Sequence, residues 1–179
     1  NRLKWDGLLG RTPIVHVAAA AGMVKAVMRL VEHGVDIEAK DDSVGCMLLT
    51  GAGEHFCSGV DLASFGDGLE EGEEHPFESS ARSVAQFDKP IVAAARGVSI
   101  GGGATVLFHC DVVYVGESLR MRLPFANLGL VPEWASSYML QANIGAQRAA
   151  ELFYTAEWVD AVKALSRGMA ADVLPDADL

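Results

Sequence analysis

Two glycine-bearing segments of this chain carry their chemistry in the main chain rather than in side chains. The first runs from Leu49 and Thr50 through Gly51, Gly53, Phe56, Cys57, Ser58, Gly59 and Val60 to Asp61 and Leu62. The second starts at Lys89 and Pro90, passes an apolar stretch to Gly97, and ends on Gly101, Gly102 and Gly103. Each reads as a buried strand entering a loop where backbone must approach something closely, because glycine has no Cβ and tolerates unusual dihedrals. Ala104, Thr105, Val106 and Leu107 after the triple glycine are compatible with a helix. The glycines are then a bare helix N-terminus, with unpaired N–H groups and a partial positive charge that favour an anion. Taken alone, a triple glycine is equally a tight strand-to-helix turn. If both loops open onto one pocket, their N–H groups jointly hold a developing oxyanion, and the reactive side chain must come from elsewhere.

The elements that position these loops follow from hydrophobic patterning. Short apolar runs at 44–50, 91–95 and 112–115 each stop near a glycine and read as strands. Helical spacing marks 23–33, 104–109, 147–154 and 160–166, the last stopped by Gly168. Strands alternating with helices predict parallel pairing and an α/β fold. The glycine- and acid-rich segment 65–76 reads as a surface loop.

The chain has 179 residues, half of them hydrophobic, enough for one globular domain with a sizeable core. Its net charge of -10 argues against nucleic acid or an anionic membrane as the main partner. Part of that charge is the local cluster Glu70, Glu71, Glu73 and Glu74, a solvated acidic loop. Cys46, Cys57 and Cys110 form neither a disulfide framework nor a zinc site, which suits a reducing, cytoplasmic compartment. The histidines show no metal-ligand spacing, so no metal is expected, and His55 and His109 read as structural. No apolar run approaches the length of a membrane span.

Near the N-terminus, Gly10, Thr12, Pro13, His16, Ala18, Ala19, Gly22, Leu30 and Gly34 resemble one ankyrin repeat. A single such unit cannot bury its own apolar face, and no second copy occurs. The alternative for the same region is an amphipathic helix feeding the strand at 44–50.

Taken together, the two glycine segments resemble the crotonase superfamily, the enoyl-CoA hydratase/isomerase family. The resemblance continues through His109, Cys110 and Asp111, then Arg122, Leu123 and Pro124, then Asn127 to Pro132 and Gly145 to Leu152, and ends at Val173, Leu174 and Pro175. It covers residues 44–179 and implies a spiral of repeated ββα units that binds an acyl-CoA thioester. Two backbone N–H groups would stabilise the thioester enolate, and by motif they fall on Val60 and Gly102. Preorganised donors of this type are worth about 10²–10³ in rate each. Ser58, Gly59, Asp61 and Leu62 would cradle the adenine end of coenzyme A, with Gly101 also in contact. Asp61 reads equally as a turn cap.

The acid/base residues decide the reaction. In hydratases of this family two glutamates activate water, and the matching positions here are Thr105 and Phe125, neither a carboxylate. The segment Val131, Pro132, Glu133, Trp134, Ala135, Ser136, Ser137 and Tyr138 is instead similar to the family's 3-enoyl-CoA to 2-enoyl-CoA isomerases. There the glutamate after the proline is the base, which makes Glu133 the expected proton shuttle. Phe125 and Trp134 would supply an apolar setting that raises its pKa towards neutrality. The alternative is that Glu133 merely complements the dipole of a helix over 136–141, with Ser136 and Ser137 as caps.

The family's C-terminal helices, which finish the acyl pocket and build the trimer, would follow Leu179. Residues 1–179 are therefore expected to be a single core domain, incomplete at its C-terminal end and associating as a homotrimer or dimer of trimers. No cofactor is expected, since coenzyme A enters with the substrate. Three functions stand at this stage: an enoyl-CoA isomerase, another crotonase reaction such as hydration, hydrolysis or dehalogenation, and a non-catalytic acyl-CoA-binding subunit.

Overall fold

The computed structural model describes residues 14–19, 45–60 and 76–179, the first group as backbone alone. The helix expected over 23–33 and the acidic segment 65–75 lie outside the described residues, as do Asp61 and Leu62.

Eight strands are described: β1 (Ile14–Ala19), β2 (Cys46–Gly51), β3 (Ile91–Ala95), β4 (Val98–Ile100), β5 (Val112–Gly116), β6 (Arg120–Arg122), β7 (Val159–Asp160) and β8 (Asp172–Leu174). Five form a sheet in the order β1-β2-β3-β5-β8, with every pairing parallel. The other three form a small sheet in the order β4-β6-β7, parallel between β4 and β6 and antiparallel between β6 and β7. Parallel strands covered on both faces should be apolar throughout. β3 satisfies this: Ile91, Val92, Ala93, Ala94 and Ala95 are all buried.

The α-helices among the described residues are α1 (Pro76–Ala85), α2 (Gly102–Thr105), α3 (Ser136–Ile144), α4 (Ala146–Thr155) and α5 (Ala161–Arg167). The repeating unit is a strand of the large sheet, a tight turn, a strand of the small sheet, then helix. It is seen as β3, β4, α2 and again as β5, β6 and the helices after it. Successive units stack through their turns, where Gly97 N–H donates to Ser118 Oγ at 3.0 Å and Arg120 N–H to the Gly97 carbonyl at 2.7 Å.

Several expectations change. Ile14–Ala19 is a strand paired in parallel with β2, whereas an ankyrin unit would make that segment helical, so the ankyrin reading does not hold there. Its Ile14, Val15 and Val17 are β-branched, the residue type that suits a pleated strand. Pro76 belongs to a helix rather than to a loop, occupying the first helical position where its missing N–H costs nothing. The helix expected over 104–109 begins earlier and splits, four α-helical residues being followed by a 3₁₀ turn at Val106–His109. Cys110 is already extended, so the chain must tighten there to deliver β5 to the sheet. Asp160 caps α5, its carboxylate accepting the Lys163 N–H at 2.8 Å.

Helix α2 lies directly on the first glycine segment. A Cβ on Gly103 would fall on the Cys57 carbonyl oxygen and 2.7 Å from the Cys57 Cβ. Gly103→Ala is expected to cost about 1–3 kcal/mol by overpacking, read as a lower urea midpoint with an unchanged m-value.

Candidate functional site

The two glycine segments meet through short-range pairing of distant residues. Phe56 N–H donates to the Arg96 carbonyl at 2.9 Å and Cys57 N–H to the Val98 carbonyl at 3.0 Å. Ile100 N–H returns to the Cys57 carbonyl at 2.9 Å, and Cys57 bridges Ser99 in parallel register. Immediately beyond this ladder the first segment turns at Gly59 with φ 88°, where only glycine is unstrained. A Cβ there would stand 2.6 Å from the Ile100 carbonyl oxygen and 3.6 Å from the Gly102 nitrogen. The second segment turns at Gly101 with φ 53°, its N–H held by the Arg122 carbonyl at 3.1 Å. The Gly101 carbonyl accepts from Ala104 and Thr105, both at 2.9 Å, which starts α2. Gly102 N–H then belongs to the first helical turn, where no intrahelical acceptor exists by position.

Both loops face one small cavity of about 110 Å³. Ser58, Gly59 and Val60 line it from the first segment, with Ile100, Gly101 and Gly102 from the second. The opposite wall is Pro124, Phe125, Leu128 and Leu130, and Glu133 completes it. Glu133 is the only ionisable side chain among these lining residues. Burial raises its carboxyl from the ordinary 4.5 to about 7. An ionised carboxylate loses hydration in such a wall and gains no cation in return. Phe125 is buried and packs on Phe153, with ring centroids 6.2 Å apart. Thr105 is fully buried under the glycines, its hydroxyl donating to the Gly102 carbonyl at 3.3 Å.

Of the residues expected to touch substrate, the structure brings Ser58, Gly59, Val60, Gly101, Gly102, Phe125 and Glu133 around this cavity. Trp134 needs correction, because its side chain is not part of the lining. It is buried in the core and meets the His109 ring edge-on, with centroids 6.0 Å apart and planes at 77°. Neighbours in sequence at a tight turn point in different directions, and here Glu133 faces the cavity while Trp134 faces the core.

That turn is the feature sequence reasoning missed. Ser136 N–H donates to the Glu133 carbonyl at 2.9 Å, closing a four-residue turn. Its two central residues, Trp134 and Ala135, have φ of 50° and 47°. Positive φ at both positions normally selects Asn-Gly or a similar pair, and Trp-Ala carries no such signal. The expected serine caps are also absent. Ala135 is the N-cap of α3, no side chain caps the helix, and Ser136 Oγ is buried without a hydrogen-bond partner.

Residues 35–179 match the family described as enoyl-CoA hydratase/isomerase. The chain is 32% identical over 147 residues to 1,2-epoxyphenylacetyl-CoA isomerase of Escherichia coli, covering 78% of this chain and 56% of that protein. It is 31% identical over 176 residues to enoyl-CoA hydratase EchA19 of Mycobacterium tuberculosis, covering 93% and 66%. Human enoyl-CoA delta isomerase 2 is 31% identical over 146 residues, covering 78% and 37%. Among solved structures, the enoyl-CoA hydratase/isomerase of Pseudoalteromonas atlantica superposes with a TM-score of 0.78 at 35% identity, covering 89% of this chain and 62% of that one. The chain thus shares the crotonase fold while spanning 37% to 66% of the length of these relatives.

The raised Glu133 pKa has a signature in stability. Between its ordinary value of 4.5 and about 7, the folded chain holds a proton that the unfolded chain has released. Stability from this group therefore falls as pH rises through that window and levels off above it. Glu133→Gln, neutral at every pH, is expected to melt increasingly higher than wild type as pH rises from 5 to 8, measured by thermal unfolding across that range.

Proposed function

The chain belongs to the enoyl-CoA hydratase/isomerase family, and from that premise we propose that it shifts a carbon–carbon double bond within an unsaturated acyl-CoA thioester. The observation that carries the reading is the pairing of Glu133, alone among ionisable lining residues, with the main chain of Val60 and Gly102 around one cavity.

In this reading the thioester oxygen sits between the Val60 and Gly102 N–H groups. The Glu133 carboxylate takes a proton from the α-carbon of a 3-enoyl thioester. The electron pair released spreads through the double bond onto the thioester oxygen, giving a dienolate whose charge the two N–H groups stabilise. Glu133, now a carboxylic acid, returns the proton to the γ-carbon, and the double bond moves to the 2,3-position. A base with a pKa of about 7 is matched to both halves of this exchange at neutral pH. Phe125, Leu128 and Leu130 give the dienolate an apolar wall. With Thr105 and Phe125 at the two positions where the family's hydratases have glutamates, the described lining residues hold no pair of carboxylates to activate water for addition.

The loop containing Ser58 and Gly59 would hold the coenzyme A moiety, and no other cofactor enters the scheme. A cytoplasmic setting belongs to the same proposal, in keeping with free thiols at Cys46, Cys57 and Cys110. No helix among the described residues is long and apolar enough to cross a membrane. The exposure of Val131 (82%), Tyr138 (72%), Tyr154 (80%) and Val162 (73%) favours self-association as a homotrimer or dimer of trimers. Sedimentation velocity is expected to show such a species, and a strictly monomeric chain at micromolar concentration would exclude it.

The activity test uses 3-hexenoyl-CoA and 2-hexenoyl-CoA. Conversion of the first is expected, with kcat/KM rising to a plateau above pH 7 and a loss of about 10²-fold or more in Glu133→Gln. Hydration of the second should be undetectable. Full activity in Glu133→Gln removes the mechanism, hydration of the 2-enoyl ester favours a hydratase, and binding without turnover of either ester favours a non-catalytic subunit.

A further inference from the structure

We propose that His109 is a positioning residue for Glu133, acting through the main chain of the left-handed turn that follows the glutamate. The inference rests on the reading of Glu133 as the base and deepens it. His109 Nε2 lies 2.6 Å from the Trp134 carbonyl oxygen, 25 residues away in sequence. A carbonyl can only accept, so Nε2 carries the proton and donates. Trp134 and Ala135 both sit at positive φ without being glycine, each a conformation that persists only where its surroundings over-determine it.

Besides the Tyr138 and Met139 N–H groups that hold the Ala135 carbonyl at 2.9 Å, three contacts supply that constraint. Ser136 N–H closes the turn on the Glu133 carbonyl. The Trp134 indole is buried in the core against the edge of the His109 ring. The His109 imidazole holds the Trp134 carbonyl itself, the peptide unit between the two strained residues. Because His109 ends the 3₁₀ turn that continues α2, its hydrogen bond joins the glycine helix directly to the glutamate turn, beside the longer bond of Asn143 Nδ2 to the Phe108 carbonyl at 3.5 Å. The His109 bond acts on the carbonyl of the residue next to Glu133, within the turn. On its other side His109 borders an open cleft shared with Ala135 and Met139, so truncating it opens no closed void in the core.

If His109 tethers the strained turn, its loss lets the turn relax and carries Glu133 away from the cavity. Glycine at 135, which adopts positive φ freely, should then restore the turn without the tether. A residue that merely fills space has no reason to be rescued in this way. The test compares wild type, His109→Ala, His109→Gln and the double variant His109→Ala with Ala135→Gly. Two measurements are made on each: turnover of 3-hexenoyl-CoA, and titration of the Glu133 side-chain carboxyl carbon by NMR.

In His109→Ala, kcat is expected to fall by up to about 10²-fold, the scale of a catalytic group misplaced by about 1 Å, with KM little changed. The Glu133 titration should move down towards the ordinary carboxylate range as the side chain reaches water. His109→Gln, whose amide also donates, and the double variant should both recover turnover and titration. An unchanged Glu133 titration in His109→Ala overturns the proposal, as does failure of both restoring variants. Should His109→Ala not fold, His109→Asn, whose shorter amide cannot reach the carbonyl, takes its place with the same requirement of rescue by Ala135→Gly. The titration decides the matter even where Glu133→Gln keeps full turnover, an outcome that removes the proposed function alone.

Discussion

Everything at the site depends on the close approach of two backbone segments, the one around Cys57 and the one around Ser99 to Gly103. Three hydrogen bonds of 2.9–3.0 Å fix that approach, and the absence of a side chain at Gly103 permits it. Without them Val60 and Gly102 would belong to separate surface loops. The constraint is steric before it is electrostatic: a helix can end on a strand's backbone only where one partner contributes no Cβ. The resulting N-terminus then presents its N–H groups to the space that the same packing encloses.

The charge at the centre of this site runs against the rest of the molecule. In a chain with a net charge of -10, several described carboxylates have partners: Glu151 and Glu157 pair with Arg167 and Lys163, Asp160 caps a helix and Asp111 accepts the Ile91 N–H. Glu133 instead lies partly buried against apolar groups and has no cation opposite it in the lining. Its elevated pKa reports that penalty. The strained residues next to it point the same way, since a fold optimised only for stability would place glycine at 134 or 135. Cost in both charge and backbone is concentrated on the four residues that set one carboxylate.

Sequence reasoning read the main-chain part of the site well because a backbone requirement leaves a residue-type trace. A position that needs positive φ or close approach demands glycine, and Gly59, Gly101 and Gly103 display that demand directly. The central strands were equally readable, since Ile91–Ala95 is apolar at every position and flanked by Pro90 and Gly97. What escaped was determined by tertiary context. The left-handed pair Trp134–Ala135 contradicts local propensity and exists through contacts made with residue 109. The same turn decides that Trp134 enters the core rather than the cavity, an orientation that residue type cannot convey. The strand Ile14–Ala19 was obscured by a pattern that mimics a helical repeat, although its β-branched residues suit the strand that pairs with β2.

The spiral topology also bears on when the site comes into being. The large sheet pairs strands whose sequence separations run to several tens of residues, as where Tyr114 meets Asp172 and Met47 meets Ile91. Such non-local pairings form slowly, because loop closure is paid before contacts repay it. The two glycine segments that line the cavity are joined by bonds of just this kind, between residues 56–57 and 96–100. Each loop supplies only one wall of that cavity. The cavity therefore takes shape only once these two distant segments have paired, and neither segment encloses it alone.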